Sequence, residues 1–292
     1  MRLHKIILSV AILSLSWACE KEIPLTSEEI KPRIVVNSIF SANDTIRIHL
    51  SESRDVLYDE FVLPNITTAN AQLLNSNGNV IGNFVHEEEG RYVCTDIFPT
   101  IGDTYGISVT NEGFDDVTAT SETPDIVSFV SIDTVRKNEQ LEFDIQFTDN
   151  GDQANYYALS IITMGFYEDE FGDTVFYEYP NTCSSDIIVQ NGSGNVDGAI
   201  CSTELFFNDK TFNGTNYTFT AQSYIPEDIE AKVVVKIKSL SEDLYKYKIS
   251  YSKYINVQGS VFAEPVQVYS NIENGFGIFG GYSEATDTLY FE

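Results

Sequence analysis

From residue 34 onward the chain alternates apolar and polar side chains with a period of two, in short runs, and that alternation restricts it to sheet. Ile46, Ile48 and Leu50 alternate with Arg47 and His49, after an apolar run at Ile34-Val35-Val36. Residues two apart share one face of a strand, so each run buries one face and wets the other; a helix would scatter the same residues around its axis. Asn75-Ser76-Asn77-Gly78-Asn79 joins 71–74 to 80–85, Gly90-Arg91-Tyr92-Val93 follows an acidic turn, and 104–109 leads to 117–120. Together these make about seven short strands in roughly ninety residues, the spacing of a β-sandwich. Thr123-Pro124-Asp125 closes this first set.

A second set follows. Strands are predicted at 129–134, 141–147, 156–163, 174–179, 187–189, 217–224 and 232–237, with Asp149-Asn150-Gly151-Asp152 as a turn. One helix interrupts them. Ser239 followed by Glu242 matches a capping box, and Leu244, Tyr247, Tyr251 and Tyr254 repeat at spacings of three, four and three, a stripe that reads as core packing. The expected fold is all-β: a transthyretin- or Ig-like sandwich over 32–124, then a fibronectin-like sandwich over 125–292 carrying one short helix near its C-terminal end.

The N-terminus reads as an export signal. Arg2, His4 and Lys5 form a basic head, residues 6–15 are almost wholly apolar, and Ser16-Trp17-Ala18 leads to Cys19. The run is too short to span a bilayer, which takes about 20 apolar residues. A cysteine after a small residue at the end of such a run resembles a bacterial lipobox, so residues 1–18 are expected to be removed and Cys19 to carry lipid. Ser16-Trp17-Ala18 also fits a small-x-small cleavage site, which would leave Cys19 a free thiol. Residues 19–31 offer little to pack and read as a tether; twelve such residues reach roughly 20 Å.

The formal net charge of -27 repels phosphate backbones and excludes nucleic acid as a partner. Cys183 and Cys201 bracket a turn-rich stretch, and a disulfide between them suits an oxidising compartment, other pairings staying open. Cys94 falls beside Tyr92 on one strand face and reads as a buried thiol. After the signal only His49 and His86 remain, and no HExxH, Cys/His metal spacing or G-x-S-x-G elbow occurs, so no catalytic residue, metal or cofactor is expected. The acidic turns at 149–152 and 168–173 offer oxygen ligands to Ca²⁺ or serve simply as hairpin turns.

One stretch is more specific. Lys31-Pro32-Arg33-Ile34-Val35-Val36-Asn37, Gly90-Arg91-Tyr92 and above all Glu264-Pro265 with the run from Tyr269 through Asn271, Gly275, Gly277 and Phe279 to Tyr282 resemble the domain-of-unknown-function family four-two-four-nine of Bacteroidota lipoproteins. The resemblance implies an outer-membrane lipoprotein, often encoded beside TonB-dependent receptors, with no established activity. Physically, glycines at 275, 277, 280 and 281 permit positive φ and close backbone approach while Phe276, Ile278 and Phe279 anchor between layers. The segment is expected to staple the final strand to the second sandwich; the alternative is a contact surface for a partner barrel. The function expected is that of a non-enzymatic accessory of a TonB-dependent transport system, anchored in the outer membrane. The alternative is a cell-surface glycan- or ligand-binding module, motivated by Tyr156-Tyr157 and Phe176-Tyr177-Glu178-Tyr179. Oligomeric state and the membrane face are left open.

Overall fold

The computed structural model describes residues 31–54, 64–137, 140–168, 171–191, 193–194, 198–225, 230–258 and 263–291. The expected signal, Cys19 and nearly all of the tether lie outside them. Residues Pro32–Arg54 and Asp59–Glu292 cluster as one unit.

The first half supplies β1 (Ile34–Ser41), β2 (Ile46–Glu52), β3 (Asn70–Asn75), β4 (Val80–Asn83), β5 (Val85–Glu88), β6 (Arg91–Cys94), β7 (Thr104–Thr110) and β8 (Val117–Glu122). The second supplies β9 (Phe129–Lys137), β10 (Gln140–Thr148), β11 (Tyr156–Glu168), β12 (Thr174–Pro180), β13 (Thr182–Ser184) and β14 (Ser193–Gly194). It continues with β15 (Ile200–Ser202), β16 (Leu205–Asn208), β17 (Asn216–Tyr224), β18 (Ala231–Leu240), helix α1 (Glu242–Val257) and β19 (Phe276–Phe291). The fold is all-β with one helix near the C-terminal end.

These strands form three sheets. One runs β12-β11-β18-β19-β1-β2-β6-β5, with β16 also on β11; a second runs β14-β15-β13-β17-β10-β9; the third runs β4-β3-β7-β8. The third sheet closes over the β1-β2-β6 part of the first around a core of Ile34, Val36, Ile46, Ile48, Leu50, Leu73, Ile107 and Val109. The second sheet closes over its β11-β18 part around Leu141, Phe143, Phe147, Tyr157, Phe207, Phe219 and Val235. Aromatic pairing adds to burial there: Phe207 stacks on Phe219 at 4.8 Å and Phe212 on Tyr217 at 4.1 Å, each such pair contributing about 0.5–1.5 kcal/mol beyond area.

The two layered halves are built on one continuous sheet, and β19 is the strand that makes it so. Its first part pairs in parallel with β1, Val36 opposite Gly277 and Ser38 opposite Phe279. Its last part pairs antiparallel with β18, Leu240 opposite Tyr282 and Ala231 opposite Phe291. Period-two alternation along this one strand then serves three clusters. Phe279 points into the first core, Ala285, Leu289 and Phe291 pack on the second, and Ile278 turns to the opposite face, beneath α1. Residues 276–282 thus belong to the first sandwich, whereas the sequence places the stapling on the second.

Other local expectations shift. Residues 187–189 form a turn and not a strand, because Asp186 accepts from the Ile188 N–H through its side chain at 3.2 Å and from the Val189 N–H through its carbonyl at 3.2 Å. Ile187 is 95% exposed as a result. The helix cap is Ser241, whose side chain accepts from the Leu244 N–H; Ser239 still belongs to β18, where the alternation of Val233, Val235 and Ile237 continues. Only the start of the stripe packs: Leu244 is buried and Tyr247 packs beside it, whereas Tyr251 and Tyr254 are exposed.

Cys183 and Cys201 form a disulfide, joining β13 to β15 at directly opposed positions. The bridge closes an 18-residue separation, worth about 3 kcal/mol in the chain-entropy view. Reduction is expected to lower the urea midpoint measurably; an unchanged midpoint would refute that contribution. Cys94 is buried in the first core, where burial pushes its thiol up and keeps it in the unreactive protonated form.

Candidate functional site

The motif residues fall into two groups. Asn271 acts as a side-chain substitute for a neighbouring strand: its Oδ1 accepts from the Phe279 N–H at 3.0 Å and its Nδ2 donates to the Phe279 carbonyl at 2.8 Å. The same Nδ2 reaches the Thr120 carbonyl at 3.2 Å, tying β19 to β8. Next to it the Glu273 N–H donates to the Thr118 carbonyl at 2.8 Å, and the Gly281 N–H donates to Ser121 Oγ at 3.0 Å. Ser121 in turn donates to Ser241, the helix cap, at 3.0 Å. One hydrogen-bonded path therefore joins β8, β19 and α1.

The glycines admit this crossing. At Gly277, φ is +108° and a Cβ would stand 1.9 Å from the Val36 carbonyl oxygen. At Gly281 a Cβ would stand 2.1 Å from the Glu122 carbonyl oxygen. Gly275 is likewise closed in by the Ile34 carbonyl. Phe279, fully buried, lies 4.6 Å from Phe40, ring to ring. Glu264 and Pro265, by contrast, are exposed and stand apart from this construction.

The acidic turn at 149–152 is committed internally. Asp149 is buried and accepts from the Tyr157 hydroxyl and, at 2.7 Å, from the Gly214 N–H, while Asn150 accepts from the Asp152 N–H at 3.2 Å. Its oxygens hold the end of the second core, as a hairpin turn does. Within 168–173, residues 169 and 170 lie outside the described residues. Among the described residues no three His, Cys, Asp or Glu side chains cluster as metal ligands. His49 meets Asn65 at 3.1 Å, and His86 packs edge-on against Tyr92 at 5.0 Å.

One charged cluster is partly buried on the outer face of the shared sheet. Glu204 on the turn before β16 meets Lys238 at 2.5 Å and Lys248 at 3.6 Å, and Lys236 meets Glu284 at 3.1 Å. Burial by itself pushes the Glu204 carboxyl up, but Lys238 and then Lys248 outweigh it and hold it below its ordinary range. Burial likewise pushes Lys238 down, and Glu204 reverses the sign and raises it. A depressed Glu204 contributes stability that is present above the unfolded carboxylate value of about 4.3 and is lost as pH falls through the folded value. Lys238 contributes below its unfolded value of about 10.4 and loses that only as pH rises through its raised one. Both side chains keep over a fifth of their surface in solvent, so the pair is worth about 1–2 kcal/mol at most. Lys238→Met is expected to move the acid limb of the urea-stability profile to higher pH; an unmoved limb would count against the pairing.

The aromatic strands separate into packing and surface. Tyr157 is core, and Tyr156 stacks on Tyr245 at 4.8 Å while donating to Glu242 at 3.1 Å, burial and that carboxylate pushing its phenol up to about 12. At the far end of the β11–β12 hairpin the rings are open to solvent: Phe166 is 63% exposed, Phe176 52% and Tyr290 of β19 76%. They line a cleft of about 440 Å³ with Met164 and Lys232. A second cleft, about 400 Å³, runs along Tyr177, Glu178 and Tyr179 of β12 to Tyr224 of β17. Phe176 and Tyr179 stand out in the sequence; Phe166, Tyr224 and Tyr290 join them only through the fold, Phe166 opposite Phe176. Among the described residues no helix is long and apolar enough to cross a membrane.

Solved structures with similar stretches include a chain from the structure of manganese lipoxygenase of Gaeumannomyces graminis and part of the zonadhesin of Komagataella pastoris. That match has 13% identity, covers 72% of this chain and 89% of that one, and has a TM-score of 0.23. The Escherichia coli adhesin FdeC matches with 11% identity over 72% of this chain and 60% of that chain, TM-score 0.22. A DUF3823 family protein from Bacteroides uniformis matches with 10% identity over 88% and 98%, TM-score 0.22. No curated protein matches the chain. The family model described as Domain of unknown function (DUF4249) matches residues 20–288, a span that holds the whole Asn271–Phe279 crossing and all of the shared sheet but the last three residues of β19, and the chain belongs to that family.

Proposed function

We propose that this protein is a non-enzymatic lipoprotein of the outer membrane, held by lipid on Cys19, that serves as an accessory of a TonB-dependent transport system. The observation that carries the reading is where the family match starts. It begins at residue 20, directly after Cys19, and Cys19 ends a basic, apolar and small-residue sequence. A lipid there and a tether reaching roughly 20 Å keep the body beside the membrane, where a membrane-protein partner is met more often than a diffusing substrate. Several acyl chains hold such a protein stably, whereas one holds it only marginally, at about 0.8 kcal/mol per buried CH₂. Cys19→Ser is the direct test: it should move the protein from the membrane to the soluble fraction, and mass spectrometry of the parent should find an acylated Cys19. An unmodified thiol on a membrane-bound protein would defeat the reading.

A second reading, a cell-surface glycan- or ligand-binding module, draws on the exposed Phe166, Phe176 and Tyr290. The only Trp in the chain is Trp17, within the expected signal, so the body lacks the side chain that stacks best on sugars. Binding on a glycan array that is lost in Phe176→Ala would favour this second reading.

A further inference from the structure

A strand at the edge of a sheet presents unpaired N–H and C=O groups, and proteins usually blunt such edges with lysine, proline, shortness or a covering segment. The three sheets end on β12 and β5, β14 and β9, and β4 and β8. β4 and β5 have four residues each and β14 has two. β9 carries Arg136 and Lys137, and β8 is covered where Thr118 bridges to Glu273. β12 differs from all of these. Its seven residues, TVFYEYP, include no Lys or Arg, and its one proline stands at the very end.

Three observations converge on that edge. The groove of about 400 Å³ is lined by Tyr177, Glu178 and Tyr179, successive residues that point to opposite faces, so it follows the edge itself, with Tyr224 as its floor. On the outer face the cleft of about 440 Å³ at Phe166 and Phe176 flanks the same strand. The charge is predominantly acidic, although Lys232 stands in the cleft at Phe166 and Phe176. Between Lys137 and Lys210 the sequence has fourteen Asp and Glu and no Lys, Arg or His.

We propose that the free edge of β12 takes up an extended basic segment of another polypeptide by strand addition. Main-chain hydrogen bonds supply the pairing, alternate side chains enter the Tyr224 groove and the Phe166–Phe176 cleft, and Lys or Arg between them meet Glu178 and the surrounding acids. A second copy of this chain is the wrong occupant, because it would set acid against acid. The inference does not rest on the transporter reading, since it concerns the chemistry of the segment and not the protein that carries it.

The experiment uses the full chain in detergent and three fluorescent eight-residue peptides: alternating Lys-Val, the same peptide N-methylated at alternate residues, and alternating Glu-Val. Anisotropy should show binding of the first. N-methylation should weaken it at least about tenfold by removing main-chain donors, and Glu-Val should not bind. Hydrogen exchange should slow at 174–179, and Glu178→Lys should reduce affinity several-fold with the circular dichroism unchanged. No binding of the Lys-Val peptide, equal binding of its N-methylated form, or protection on β9 in place of β12 would each overturn the proposal.

Discussion

Phe279→Asp is expected to abolish the cooperative unfolding transition, whereas Phe279→Leu should keep it. Phe279 is fully buried against Phe40 in the first core, on a strand whose continuation packs on the second. Removing a buried Phe side chain costs about 3–5 kcal/mol, and an unpaired buried carboxylate adds several more or forces its own protonation. Against a total stability of about 5–15 kcal/mol, little remains. Because β19 carries both cores, the loss should appear in both halves together. A variant that melts within a few degrees of the parent would mean that the motif is a contact surface and not a structural crossing.

Gly277→Ala is expected to cost about 2–5 kcal/mol, combining backbone strain with overpacking. Two separate facts lead there: a φ of +108°, which L side chains rarely adopt, and a Cβ position 1.9 Å from the Val36 carbonyl oxygen. Neither can relax cheaply, because Val36 is itself buried and paired with Gly277 in the parallel ladder. Gly113 offers the control, since nothing stands within 4 Å of its Cβ position, so Gly113→Ala pays only for its φ of +88°. Urea midpoints of the two variants decide the matter; equal losses would remove the case for close approach at Gly277.

Much of this architecture can be read in the chain because its signal is local. Ile46, Ile48 and Leu50, and again Leu141, Phe143, Ile145 and Phe147, bury alternate positions as written. The Cys183–Cys201 pair, framed by turn residues, closes as expected. What the sequence hides is long-range pairing. Nothing near Gly275 says that its strand lies beside β1, more than two hundred residues earlier, so the sequence pattern points the stapling at the wrong core. Ser239 and Ser241 are equally good caps on paper, and the choice follows from β18 holding Ser239 in the sheet opposite Tyr157 and Ser283. Aromatics on β11 and β12 look alike in sequence, yet burial separates Tyr157 from Phe166 once the hairpin projects past Ala231, the first residue of β18.

The family-level motif is thus accounted for by packing at Asn271, Gly275, Gly277 and Phe279, whereas Glu264 and Pro265 are exposed. The reading as a transport accessory is tested most directly by extracting the membrane in mild detergent, after brief cross-linking, and recovering this protein through a C-terminal tag. The expected result is a β-barrel outer-membrane transporter in near-stoichiometric yield, lost when Cys19→Ser releases the body from the membrane. Recovery of this protein alone, acylated and folded, would contradict the account.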